Sequence, residues 1–177
     1  MTEEFIKLRL REYRGAARYL NQLPYGRNSS RTDLLGVLRE SRGTCSTKHA
    51  LLKLLAMEQQ IEIALVVGIY EMSERNTPGV GRVLAKYSLG CVPEAHCYLR
   101  YHGIRIDVTR ALAEGPAEPI VHFLYEEEIT PPQVGEYKVH LHQDFIRRWL
   151  AQRRNVVGYD YDEIWRIREQ CIAALSA

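Results

Sequence analysis

RGTCSTKHALLKLL, Arg42 to Leu55, is the stretch on which the fold reading turns. Gly43 is the kind of residue on which a preceding helix stops. Thr44 is a natural N-cap, because its hydroxyl accepts from a backbone N–H one turn on. Cys45 then falls in the first turn of a new helix, which Leu51, Leu52, Leu54 and Leu55 carry to about Gln59. A thiol placed there feels the positive end of the helix dipole and the N–H groups of the helix start, and both favour thiolate. The same stretch also fits a small buried hydrophobe opening a core helix. What the rest of the chain brings to Cys45 decides between the two.

Upstream, Ile6, Leu10, Tyr13, Ala17 and Leu20 recur at intervals of four, three, four and three, which predicts one amphipathic helix over residues 3 to 23. Lys7, Arg11, Arg14 and Arg18 fall mostly off that stripe, as a solvated face. Pro24 and Gly26 end the helix. A second helix is expected from near Ser30, with Asp33 in its first turn and Leu34, Leu35, Val37 and Leu38 on its apolar face.

Downstream, IEIALVVGIY, Ile61 to Tyr70, is β-branched and continuously apolar, which suits a buried strand. Residues 73 to 93 hold Pro78, Gly79, Gly81, Gly90 and Pro93 and read as loop, with a short strand near Val83. AHCYLRYHGIRIDVT, residues 95 to 109, reads as a β-hairpin turning on His102-Gly103. Further strands are expected at Ile120 to Tyr125 and at Glu136 to His142, where Tyr137, Val139 and Leu141 alternate with polar residues. Helices follow near Asp144 to Arg153 and from Asp160, where Glu163 completes a capping box and Tyr159 and Ile164 can staple the start. Helices, then mainly antiparallel strands, then helices argue for an α+β fold.

The hairpin register brings further chemistry together. With His102-Gly103 as a two-residue turn, Tyr101 faces Ile104 and Tyr98 faces Asp107. His96 shares the parity of Tyr98, so His96 and Asp107 are diagonal neighbours on one face, about 7–8 Å apart at the backbone. The carboxylate can then orient the imidazole and stabilise its charged form. If the Cys45 helix points at that face, His96 can take the thiol proton, giving a Cys–His–Asp nucleophilic triad.

These residues resemble a known family. GTCSTKHALLKLLAMEQQIEIALVVGIYEM is similar to the nucleophile region of the transglutaminase-like superfamily, where a Gly-x-Cys motif opens a helix and an apolar strand ends in a Gly-aromatic pair, here close to Gly68-Ile69-Tyr70. EAHCYLRYHGIRIDVTR resembles that family's His strand and its Asp strand ending in Asp-x-Thr. The likeness covers roughly residues 30 to 110 and implies a papain-like cysteine-protease architecture, with the nucleophile helix packed on a mainly antiparallel sheet and helices flanking it. It assigns Cys45 as nucleophile, His96 as acid–base and Asp107 as orienting carboxylate. It implies a thiol-dependent cysteine peptidase or amidase, or a transglutaminase-like acyltransferase, acting on a peptide or protein amide without a cofactor or metal. Cys97 stands between His96 and Tyr98 where the family often has alanine. The chain is shorter than the calcium-dependent animal transglutaminases and has no calcium-loop motif, which weighs against protein cross-linking. Some relatives have lost activity, so a non-catalytic binding module is the alternative.

Composition bounds these readings. The chain has 177 residues, 46% hydrophobic and 26% charged, which is globular and long enough for one domain spanning residues 1–177. A net charge of +2 gives no argument for nucleic acid or membrane partners. MTEEFIKLRLREYR lacks the apolar run of a signal peptide, so a cytoplasmic location with Cys45, Cys91, Cys97 and Cys171 as reduced thiols is expected. The sequence leaves the oligomeric state open. His49, one turn after Cys45, is a rival thiol partner or metal ligand, although Leu52 and Ala56 on its face point to burial. His140 and His142 on a shared strand face, the Arg147, Arg148, Arg153 and Arg154 cluster, and Glu126 to Glu128 are read as solvated surface. Cys91 and Cys97 are read as packing residues.

Overall fold

Thr44 and Thr47 cap each other at the start of the helix Cys45–Glu58, and this reciprocal box fixes the beginning of the element that carries the thiol. The computed structural model describes residues 2–110, 120–152 and 158–175. Among these, the chain forms α1 (Thr2–Lys7), α2 (Tyr13–Gln22), α3 (Gly36–Arg39), α4 (Cys45–Glu58), β1 (Ala64–Met72), α5 (Gly81–Lys86), β2 (Val92–Tyr101), β3 (Ile104–Ile106), β4 (Tyr125–Ile129), α6 (Glu136–Gln152) and α7 (Tyr161–Ala174). A 3-10 turn, Pro131–Val134, precedes α6. The class is mixed α+β, with a four-stranded antiparallel sheet in the order β3-β2-β1-β4. No helix among the described residues is long and apolar enough to cross a membrane.

By packing, the chain divides into two compact units. The first comprises the described parts of Met1–Val67, His96–Glu114 and Glu127–Gly135. It holds α1 to α4 and β3, and Phe5, Leu20, Val37, Leu51 and Leu99 are buried in it. The helix α4 is buried nearly all round from Cys45 to Leu52, so an unbroken apolar stripe is not what defines it. The second unit comprises the described parts of Gly68–Ala95, Gly115–Glu126 and Glu136–Ala177, with α5 to α7 and a core including Ile69, Met72, Ile146, Ile164 and Ile167. That core also buries Glu94, which accepts two bonds from Arg168 at 2.5 and 2.6 Å. Burial alone would raise the Glu94 carboxyl, but Arg168 holds it down at about 2.

The hairpin has the expected register. Tyr101 pairs with Ile104, Arg100 with Arg105 and Leu99 with Ile106. His102 and Gly103 both take positive φ, 47° and 77°, as a type I′ turn requires. The Asp160–Glu163 capping box also forms as expected, at the start of α7.

Other elements differ from expectation. The single helix over residues 3 to 23 is two helices. Arg9, at φ 61°, closes α1 with Leu10 N–H bonding Phe5 O and Arg9 N–H bonding Ile6 O, a Schellman motif without glycine. Phe5, Ala16 and Leu20 are buried, while Ile6 of the predicted stripe is 46% exposed. The helix expected from Ser30 shrinks to α3, and the left-handed residue after it is Ser41, not Gly43. The loop at 73 to 93 contains α5, where a strand near Val83 was expected. The strand expected at Ile120 to Tyr125 is displaced to β4, so Glu126 to Glu128 lie in a strand.

The largest reversal is at residues 136 to 142, which open α6. The residues that α6 buries are Lys138, His142, Ile146 and Trp149, at helical spacing, while Tyr137 is 42% exposed. The alternation therefore placed the polar residues on the wrong side. His140 and His142 do not share a face: His142 is buried and donates to Pro93 O at 2.9 Å, whereas His140 is exposed. Of the arginine cluster, Arg147 pairs with Asp144 at 2.8 Å and lies over the Tyr161 ring. Arg153 and Arg154 lie outside the described residues.

Candidate functional site

All three residues singled out for nucleophilic chemistry lie in the first unit, and the structure brings them together. Cys45 is the first residue of α4. The backbone ahead of it is clamped on both sides: Gly26 N–H bonds Gly43 O and Gly43 N–H bonds Pro24 O, each at 3.2 Å. Gly43 has a steric reason to be glycine, since a Cβ there would stand 2.9 Å from Lys48 Cγ. Asn28 fixes the same turn from outside, accepting from Thr47 Oγ1 at 2.9 Å and donating to Arg42 O at 3.0 Å.

His96 comes from β2 and Asp107 from the residue that follows β3. His96 Nε2 donates to Asp107 Oδ2 at 2.5 Å. Nε2 is thereby committed, so Nδ1 is the nitrogen left to meet sulfur. A hydrogen bond with the Cys45 side chain is one of the interactions acting on the ring. Burial alone would lower the His96 pKa, but the Asp107 carboxylate and the Cys45 sulfur together raise it to about 10. Burial would likewise raise the Asp107 carboxyl, yet the His96 partner holds it well below the usual carboxylate range. The other carboxylate oxygen, Oδ1, accepts from Thr109 N–H at 2.9 Å, which fixes the carboxylate plane. Cys45 and His96 each keep 6% of their surface exposed.

Two neighbours complete the surroundings. His49 is fully buried, with Nδ1 on Cys45 O at 2.7 Å and Nε2 receiving Val108 N–H at 2.8 Å. It therefore packs between α4 and the end of the hairpin, and the carboxylate hydrogen-bonds to His96 in its place. Lys48 is also fully buried, a residue that sequence reasoning passed over. Its ammonium donates to Leu23 O at 2.6 Å and to Thr109 O at 2.9 Å. Desolvation lowers its pKa to about 8, against the opposing pull of Asp107 and Cys45. A lysine one turn from a helix start reads as solvent-facing; only the apolar residues on every side of α4 signal otherwise.

None of the four cysteines forms a disulfide, and Cys45, Cys97 and Cys171 are buried. Among the described residues, no group of three or more His, Cys, Asp or Glu side chains is placed to hold a metal ion. The arrangement can move a proton between sulfur and imidazole and hold the resulting charge against a carboxylate. Compared with protein-family models, curated proteins and solved structures, the chain matches none.

Proposed function

We propose that the chain is a thiol-dependent acyl-transfer enzyme of transglutaminase-like, papain-like type, acting on a peptide or amide carbonyl. The observation that carries this reading is the His96–Asp107 hydrogen bond, 2.5 Å long, beside a cysteine at the first position of a capped helix. Cys45 sulfur attacks the carbonyl carbon while His96 holds the thiol proton. The Cys45 backbone N–H, at the helix start, donates to the developing oxyanion. His96 then gives its proton to the departing amine, and a thioester remains on Cys45. Water, deprotonated by His96, releases the acid and restores the thiol. Hydrolysis is favoured over transamidation because it needs no second substrate site.

A non-catalytic binding module is the second reading. The 6% exposure of both Cys45 and His96 favours it, since a substrate carbonyl has to reach the sulfur.

The deciding experiment is incubation with a peptide and amide library, followed by mass spectrometry of the intact protein and its Cys45 peptide. An acyl adduct on Cys45, absent in Cys45→Ala, is the expected result. No adduct from any library member would overturn the enzyme reading in favour of the binding module.

A further inference from the structure

The mechanism above leaves two buried titratable groups of the site unused, Lys48 and His49, and of these His49 touches both the helix start and the hairpin end. His49 has no exposed surface, and both its ring nitrogens bond backbone groups. A carbonyl only accepts and a backbone amide only donates. Nδ1 must therefore carry the hydrogen given to Cys45 O, and Nε2 must present its lone pair to Val108 N–H. The ring is neutral and held in one tautomer. Asp107 Oδ1 lies 3.6 Å from Nε2, and the His96 ring stands edge-on with centroids 6.3 Å apart. Lys48 is the remaining charged neighbour, and its cation, like burial, disfavours a charged ring.

The geometry points to His49 as a positioning residue for the Cys45–His96–Asp107 site. One rigid ring joins the carbonyl of the residue bearing the thiol to the amide next to the residue bearing the carboxylate. It thus sets the separation of helix start and hairpin end, into which His96 fits. This rests on the proposed role of Cys45 as nucleophile and adds a device that holds its partners in place. Leucine would fill the space but leave the buried Val108 N–H without its acceptor. Glutamine keeps one donor and one acceptor on the same side chain.

Two measurements test it on the intact chain. The first is nitrogen NMR of the imidazoles in the wild-type protein. His49 is expected to show protonated Nδ1 and bare Nε2, with no titration between about pH 5 and pH 9. A protonated Nε2, or a titration near the ordinary histidine value, would overturn the inference. The second is the pH dependence of Cys45 alkylation by iodoacetamide, read peptide by peptide, alongside thermal melting. His49→Leu should melt cooperatively yet alkylate Cys45 about tenfold more slowly near neutrality, its profile displaced about one pH unit to the alkaline side. His49→Gln should keep the wild-type profile. A folded His49→Leu with a wild-type profile reduces His49 to core packing and overturns the proposal. Should the leucine variant not fold, a folded His49→Gln that has lost the wild-type profile overturns it instead. Neither measurement uses a substrate, so failure to trap an acyl-enzyme would count against the enzyme reading and leave these results to judge His49.

Discussion

Each unit pairs a carboxylate with a cation and sets a cysteine near the pair, but the two cysteines occupy opposite ends of their helices. Cys45 opens α4 and meets the imidazole of the His96–Asp107 pair. Cys171 lies in the last turn of α7, where burial and the Glu94 carboxylate push its thiol up to about 11, in spite of Arg168. The ingredients are similar and the settings opposite. A thiol gains reactivity from a helix start and a proton acceptor, and loses it beside a helix end and a buried anion. The pairs differ as well. Glu94 and Arg168 keep only 7% and 11% of their side chains exposed, whereas Asp107 keeps 36%.

The contrast breaks most readily on the thiols themselves. At neutral pH about one Cys171 in ten thousand is ionised, so Cys45 should alkylate at least about a thousandfold faster with iodoacetamide. Comparable labelling of the two peptides in the folded protein would erase the distinction. The ion pairs come next. Arg168→Met leaves Glu94 charged and buried without its partner and should cost about 3–5 kcal/mol in urea unfolding. Asp107→Asn should cost about 1 kcal/mol or less, because its carboxylate is partly in water. Its effect should fall on Cys45 alkylation instead, slowed about 10- to 100-fold near neutrality. A large stability loss in Asp107→Asn with unchanged labelling would make the first pair a fold element like the second.

The histidines separate the units along the pH axis. His96 is raised to about 10, so its stabilisation is complete below the unfolded value near 6.5 and is lost as pH rises towards 10. The wild-type advantage in Tm over His96→Asn should therefore shrink from pH 6.5 upward. His142 is lowered to about 4, chiefly by burial against the pull of Glu94. Its unfolded form takes up a proton below about 6.5 that the folded form refuses, so wild type should lose ground to His142→Asn on acidification towards pH 4. Parallel trends would show that the two histidines are not in different protonation states. A last effect is steric: Gly43→Ala should cost about 1–2 kcal/mol, read from thermal melts, as the new Cβ displaces Lys48.

Legibility in the sequence followed local chemistry. Thr44, Asp160 with Glu163, and His102-Gly103 mark their element boundaries with side chains that do the capping or turning, and each reads correctly. The parity argument that places His96 beside Asp107 follows from the turn alone. Helix ends are different. α1, α4 and α5 all close in Schellman geometry with Arg9, Gln60 and Ser88 in the left-handed position, so no glycine announces them. The opening of α6 misled because its core-facing residues Lys138 and His142 are polar, and the exposed Tyr137 is not. The burial of His49 was announced by Leu52 and Ala56 on its face, but its partners, like the burial of Lys48, were illegible for a related reason. Their partners are backbone carbonyls and an amide from Leu23, Val108 and Thr109, and backbone groups leave no trace in side-chain pattern.

The two-residue turn at His102-Gly103 has a consequence for how this chain can vary. It acts as a parity counter between the histidine and the carboxylate. One residue added to or removed from the hairpin loop and not absorbed as a bulge reverses the face of everything after it, and Asp107 would turn away from His96. Two residues would preserve the face. Length changes here should therefore be tolerated in pairs, so a loop that looks open to insertion carries an arithmetic constraint set by the site.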